Sequence, residues 1–318
     1  MENNDDLNLN YVEDYKLLDL IHQDAKQSPQ IYKPTAYWEG YCSRITNRIK
    51  KVGLSNFRSD YDLTKGFIMC GVYELSTWVI KKDSLIDKFR KLLKKIPLIR
   101  NLINHYEARL EDHLGRSEKY FRNYYDSLIL FSKKDYSKVN DCMFASPVSL
   151  PQRKNITLPL IYAINYASLI EEYKNLDNVE SIIEIGAGYG ALCEVIMKSS
   201  NVKSYYLFDL SPMVYIATQY LKQAFPGEVA DYSDFKKGVK KKINVLPTWC
   251  YEEVSQTFDL FINTASFQEM EKNVVSNYLD KLKAKSVFLI SLKSGHKPNA
   301  NNQLDVISFD YLQRELTD

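Results

Sequence analysis

The chain has 318 residues, 45% of them hydrophobic and 26% charged, with a formal net charge of +2. That length allows two units or one decorated domain with an ample core, and so small a charge leaves no electrostatic footprint for nucleic acid as a general partner. No apolar run approaches the ~20 residues that span a bilayer, and the polar, acidic start MENNDDLNLN is the opposite of a signal peptide, so a cytoplasmic protein is expected. Cys42, Cys70, Cys142, Cys193 and Cys250 are scattered, odd in number and free of C-x-x-C spacing, which points to neither a disulfide framework nor a zinc site. Tyrosine stands out at 24 copies, as a set of polar ring ligands or as a bias of base composition.

In chain order, residues 1–10 read as a disordered tail. From 11 to about 175 the sequence lacks strand alternation and carries helical periods, for example Leu85, Ile86, Phe89, Leu92, Leu93 and Ile96. Lys88, Arg90, Lys91, Lys94 and Lys95 accompany that apolar stripe. The stripe would face the protein's own core with the lysines in water, and peripheral membrane contact is the second reading.

The stretch SIIEIGAGYGALCEVIM, Ser181 to Met197, changes the pattern. Ile182, Ile183 and Ile185 form a short β-branched run, Gly186, Gly188 and Gly190 break it, and Leu192, Val195 and Ile196 recur at helical spacing. A strand, a tight glycine turn and a helix N-terminus in that order make a nucleotide cradle, where bare main chain lies against a ligand. Further strands follow near Ser204–Asp209, Ile243–Leu246, Phe258–Asn263 and Ser286–Leu292, alternating with helices. Residues 176–318 therefore read as an α/β unit with a doubly wound, mostly parallel sheet, and too few residues follow the fifth strand for a helix plus an antiparallel hairpin.

The glycines alone fit two cofactors, because Gly186, Gly188 and Ala191 also satisfy the looser dinucleotide fingerprint. Glu184 separates them: an acid at the strand end repels a pyrophosphate and suits the cationic amino-acid portion of S-adenosylmethionine. Asp209 ends the second strand where either fold places an acid for ribose hydroxyls, or else it caps the helix that Pro212 opens. Trp249, after the third strand, reads by itself as a core or packing residue. At the fourth strand's exit, Asn263, Ser266, Gln268 and Glu269 are dense polar groups. Ser266-Phe-Gln-Glu269 also has the form of a capping box for the next helix. Glu269 and His296 are the candidate general bases for activating a hydroxyl, each with an ordinary surface role as the alternative.

The motif Glu184-Ile-Gly-Ala-Gly-Tyr-Gly190 resembles the first motif of class I S-adenosylmethionine-dependent methyltransferases, acid-x-Gly-x-Gly-x-Gly. More narrowly, Trp38 followed by VGLSNFRS (Gly53, Leu54, Phe57, Arg58), the run LPLIYAINYASLI and the segment FINTASFQEM resemble the sugar O-methyltransferases of bacterial polysaccharide gene clusters. The resemblance implies a Rossmann-like methyltransferase fold preceded by a helical region, 11–175, that roofs the acceptor. It also implies S-adenosyl-L-methionine as cofactor, held by Glu184, Gly186, Ala187, Gly188, Gly190, Asp209, Leu210, Trp249 and Asn263, with Tyr162 closing over the amino-acid end. A sugar or glycan acceptor would meet Gln268 and Arg58, whose guanidinium pairs bidentately with a carboxylate or phosphate or else forms a structural ion pair. An NAD(P)-dependent oxidoreductase and a binding scaffold without turnover are the competing readings.

Overall fold

The computed structural model describes residues 11–60, 63, 118–295 and 306–317. Cys70, the basic segment 81–95 and His296 lie outside the described residues.

Helix α1 (Tyr15–Gln27) starts at Asp14, whose carboxylate accepts from the Leu17 N–H at 3.1 Å, and it buries Leu17, Leu18 and Ile21 on one face. A 3-10 turn, Gln30–Tyr32, leads to α2 (Ala36–Val52), which stops at Gly53 with φ +69°. Residues 118–131 are helical, and α3 (Leu158–Tyr173) is capped by Thr157 with Pro159 in its first turn. Among the described residues no strand precedes Ser181, as the missing alternation predicts.

From there the chain builds a six-stranded sheet. Its strands are β1 (Ser181–Ile185), β2 (Ser204–Asp209), β3 (Val229–Ala230), β4 (Ile243–Pro247), β5 (Leu260–Thr264) and β6 (Val287–Ile290). The order is β3-β4-β2-β1-β5-β6 and every neighbouring pair is parallel. At the centre, Ile183 stands beside Tyr206 on one side and Phe261 on the other, which explains the continuous apolar run: a central parallel strand is covered on both faces. Five strands match the sequence reading. The edge strand β3 adds two residues, too few for any periodicity to show.

The helices between strands are α4 (Ala191–Ser199), α5 (Ser211–Ala224), α6 (Tyr232–Lys236) and α7 (Lys272–Asp280). Because the order reverses between β1 and β5, right-handed crossovers put α4 and α5 on one face and α7 on the other. The described residues after β6 contain α8 (Phe309–Thr317) and no further strand. Buried side chains of the helical half, such as Ile21, Ile45 and Ile164, belong to one continuous core with Ile183, Phe208 and Phe261 of the sheet. Each such side chain contributes about 1.5–3 kcal/mol by burial. Among the described residues no helix is long and apolar enough to cross a membrane.

Candidate cofactor and active site

The reversal of strand order leaves a crevice above the carboxyl ends of β1 and β5, where open α/β sheets bind ligands. A cavity of about 420 Å³ lies there. Its floor is the β1 exit with the glycine turn. One side is the β2 exit at Asp209 and Leu210, the other the β5 exit from Thr264 to Met270, and α3 supplies a wall with Pro159, Tyr162, Ala163 and Tyr166.

The three glycines do different work. Gly188 has φ +61° and lines the cavity, and a Cβ built on it would meet nothing within 4 Å, so its bareness leaves open space for a ligand. Gly186, at φ +73°, is bare because a Cβ would stand 2.1 Å from Ser266 Oγ. Gly190 does not line the cavity. It begins α4 at φ +94°, where a Cβ would press on Leu221 at 2.8 Å, so this glycine serves packing and not contact.

Two acids flank the turn. Glu184 is 1% exposed at the β1 end and lines the cavity, and the Tyr205 hydroxyl donates to its Oε2 at 2.8 Å. Burial pushes its pKa up to about 7 against that bond, and Asp209 nearby pushes the same way. Asp209 accepts from Gly188 N at 2.7 Å through Oδ2 and from Leu210 N at 2.7 Å through Oδ1. Its pKa also lies at about 7, raised by burial and drawn back by those two backbone donors. The helix-capping alternative for Asp209 does not hold, since Leu210 is the N-cap of α5 and no side chain caps it.

At the β5 exit the capping box is absent, a correction to the sequence reading. Residues Phe267–Glu269 form a separate 3-10 turn, and α7 starts later, behind Glu271. Ser266 Oγ instead donates to Ile185 O at 3.1 Å and receives the Asn263 Nδ2 donor at 2.6 Å. Asn263 also donates to Ile185 O at 2.9 Å and accepts from Phe267 N at 3.1 Å. Asn263 is 1% exposed and braces the β1 and β5 exits beneath the cavity, outside its lining. Ala265, between them, is held at φ +65°, a left-handed conformation that costs a non-glycine residue about 1–2 kcal/mol. Gln268 and Glu269 both line the cavity, and Gln268 Oε1 accepts from Leu292 N at 2.7 Å, tying the β5 exit to the β6 exit.

Two further expectations are corrected. Trp249 is outside the lining: its ring meets Tyr232 edge-on at 5.8 Å and its Nε1 donates to the Tyr232 hydroxyl at 3.3 Å. Trp249→Phe is therefore expected to leave the affinity for an adenosyl ligand within twofold by calorimetry, and a tenfold loss would put the ring back at the site. Arg58 is also outside the lining. It is 1% exposed and its Nη1 and Nη2 donate to Asp141 at 2.9 and 2.5 Å, a core ion pair that no acceptor reaches.

Several of the lining residues without an assigned role in the sequence come from far upstream. Tyr32, Lys33 and Thr35, between α1 and α2, and Trp38, in α2, line the cavity, and Tyr278 reaches it from α7. Tyr32 fixes that stretch: its carbonyl accepts from Thr248 Oγ1 at 2.8 Å and its hydroxyl donates to Glu252 at 2.6 Å. The tyrosine excess points to Tyr32 and Tyr278 only in bulk, Trp38 is part of the resemblance, and nothing in the sequence singles out Lys33 or Thr35.

No family model matches this chain, and no curated protein matches it by sequence. Solved structures do. Phosphoethanolamine N-methyltransferase 2 of Haemonchus contortus, in complex with phosphomonomethylethanolamine and S-adenosylhomocysteine, is 12% identical over 48% of this chain and 35% of that one, with a TM-score of 0.34. Mitomycin 7-O-methyltransferase MmcR is 14% identical over 45% of this chain and 42% of that one, with a TM-score of 0.29. The chain thus spans less than half the length of either neighbour, and at these values the likeness assigns no role to any of its residues.

Proposed function

We propose that the chain is an S-adenosylmethionine-dependent O-methyltransferase acting on a hydroxyl of a sugar or glycan. The observation that carries the cofactor is the pairing of Gly188 with Asp209. In a dinucleotide site the turn's N–H groups face the pyrophosphate. Here the Gly188 N–H is taken by a carboxylate, and Glu184 adds a second acid in the same cavity. Two acids and an occupied donor repel a diphosphate and attract a cationic ligand with ribose hydroxyls.

The residues fit that ligand. Glu184 would neutralise the cationic amino-acid end, Asp209 retains lone pairs for ribose hydroxyls, and Gly188 gives room for close approach. S-adenosylmethionine supplies, when bound, an electrophilic methyl group. What the chain must add is alignment and a place for the hydroxyl proton. Glu269 lines the cavity and is the carboxylate we assign to take that proton, and Tyr162, Tyr166 and Trp38, also in the lining, are the rings we assign to adenine or a sugar. The sugar itself rests on the resemblance of Trp38 and FINTASFQEM. The test is transfer of labelled methyl from S-adenosylmethionine to a panel of nucleotide sugars and bacterial glycans. Alkali-stable label in a sugar ether is the expected product, and label on an amine or on no acceptor would contradict the reading.

A pH dependence follows from the two raised acids. A carboxyl whose pKa is higher folded than unfolded holds its proton more tightly in the native state, so stability is greatest below about pH 4 for these groups. It falls as pH rises through about 7. Affinity for the cationic sulfonium should move the other way, strengthening from pH 6 to 8 as the acids ionise. S-adenosylhomocysteine keeps the ammonium that Glu184 would meet and lacks only the sulfonium charge, so it should strengthen in the same direction but less. Parallel pH titrations of both compounds check this, and identical slopes would contradict it.

A further inference from the structure

The Gly-Leu-x-x-Phe-Arg element has no role in the cavity, yet its arginine joins both of the cavity's walls. Besides its two bonds to Asp141, Arg58 Nη1 donates to Cys142 O at 2.6 Å, and Nη2 reaches Thr157 Oγ1 at 3.4 Å and the Tyr189 hydroxyl at 3.5 Å. Tyr189 is the residue between Gly188 and Gly190, and its ring lies 5.4 Å from the guanidinium and 5.7 Å from the ring of Phe57. Thr157 caps α3 and also donates to Asp141. Tyr220 of α5 closes the cluster, with its hydroxyl 2.9 Å from Asp141 and its ring 4.8 Å from that of Tyr189. One buried guanidinium therefore touches the middle of the glycine turn and the N-cap of the helix that carries Tyr162 and Tyr166.

We propose that Arg58, through Asp141, is a positioning residue that holds the glycine turn and α3 at the separation the cofactor requires. The proposal rests on the cofactor reading above for its ligand, and on the geometry alone for the coupling. A buried ion pair adds little net stability over apolar residues of like volume, whereas its planar fork fixes orientation in a way that methylenes do not. Removing both charges also strips partners from Cys142 O, Thr157 and Tyr220, so stability and geometry fall together, and a control matched in Tm separates the two.

The test compares Arg58→Met/Asp141→Leu, Arg58→Lys and Leu18→Ala in the full chain. Leu18 is fully buried on the inner face of α1 and outside the cavity, so it controls for plain loss of stability. Two readouts are taken: Kd for S-adenosylhomocysteine, and amide hydrogen exchange of residues 186–190 and 158–166 without ligand. The double variant is expected to bind at least tenfold more weakly and to exchange faster in both segments together. Arg58→Lys, which keeps the charge and loses the fork, should show the same direction and guards against a double variant that fails to fold. The control should change neither at equal or greater loss of Tm. An unchanged Kd in folded variants, or faster exchange in only one segment, overturns the proposal. A wild type that binds no S-adenosylhomocysteine contradicts the cofactor reading instead, and exchange then decides the coupling by itself.

Discussion

Gly188→Arg is expected to abolish binding of S-adenosylmethionine while the protein stays folded. The position combines the two properties such a result needs: a left-handed backbone and open space beyond its Cα. Left-handed strain costs about 1–2 kcal/mol, which for a chain of this size lowers Tm by only a few degrees. The side chain, in contrast, enters the cavity that the cofactor would fill and sets a guanidinium beside a cationic ligand. A loss of at least a hundredfold in affinity, about 2.7 kcal/mol, is the expected result by calorimetry. Gly186→Ala makes the contrast, since its Cβ would collide with Ser266 and must displace the β5 exit, so there stability and binding should fall together. A Gly188→Arg protein that binds as the wild type does would remove the glycine turn from the site.

Glu269→Gln is expected to lower turnover by about 10²–10⁴, the usual weight of a general base, with cofactor affinity kept within twofold. The absence of a capping box makes this clean. Neither the 3-10 turn nor α7 is capped by a side chain here, so the carboxylate-to-amide change removes no helix cap, and Gln keeps the shape of the side chain and one acceptor oxygen. Parallel loss of Tm and activity would point to a structural role. His296→Gln, measured alongside, separates the two base candidates: the variant that flattens the acid limb of the kcat profile marks the group that takes the proton.

What the sequence made legible was local. Ile182 to Gly190 declared a strand and a turn because apolar run, glycine spacing and helix period follow one another without a break, and the turn, Glu184, Asp209 and Glu269 all reach one cavity. What it hid was tertiary. Trp249 has the aromatic character of an adenine platform, and only the fold shows that Tyr232 occupies its edge. Arg58 reads as an anion ligand until Asp141, 83 residues later, appears beside it. Ser266 and Glu269 have capping-box spacing, yet Asn263 recruits the serine and α7 begins further on. Tyr32 reaches the site from the helical half, which no local pattern announces, and Trp38, legible only through the resemblance, lines it from α2.

The measurement that bears most directly on this account is parallel calorimetric titration of the full chain with S-adenosylmethionine, S-adenosylhomocysteine, NAD and NADP. Saturable binding of the two adenosyl compounds, with both dinucleotides at least a hundredfold weaker, is the predicted result. A dinucleotide binding as tightly as either adenosyl compound would contradict it.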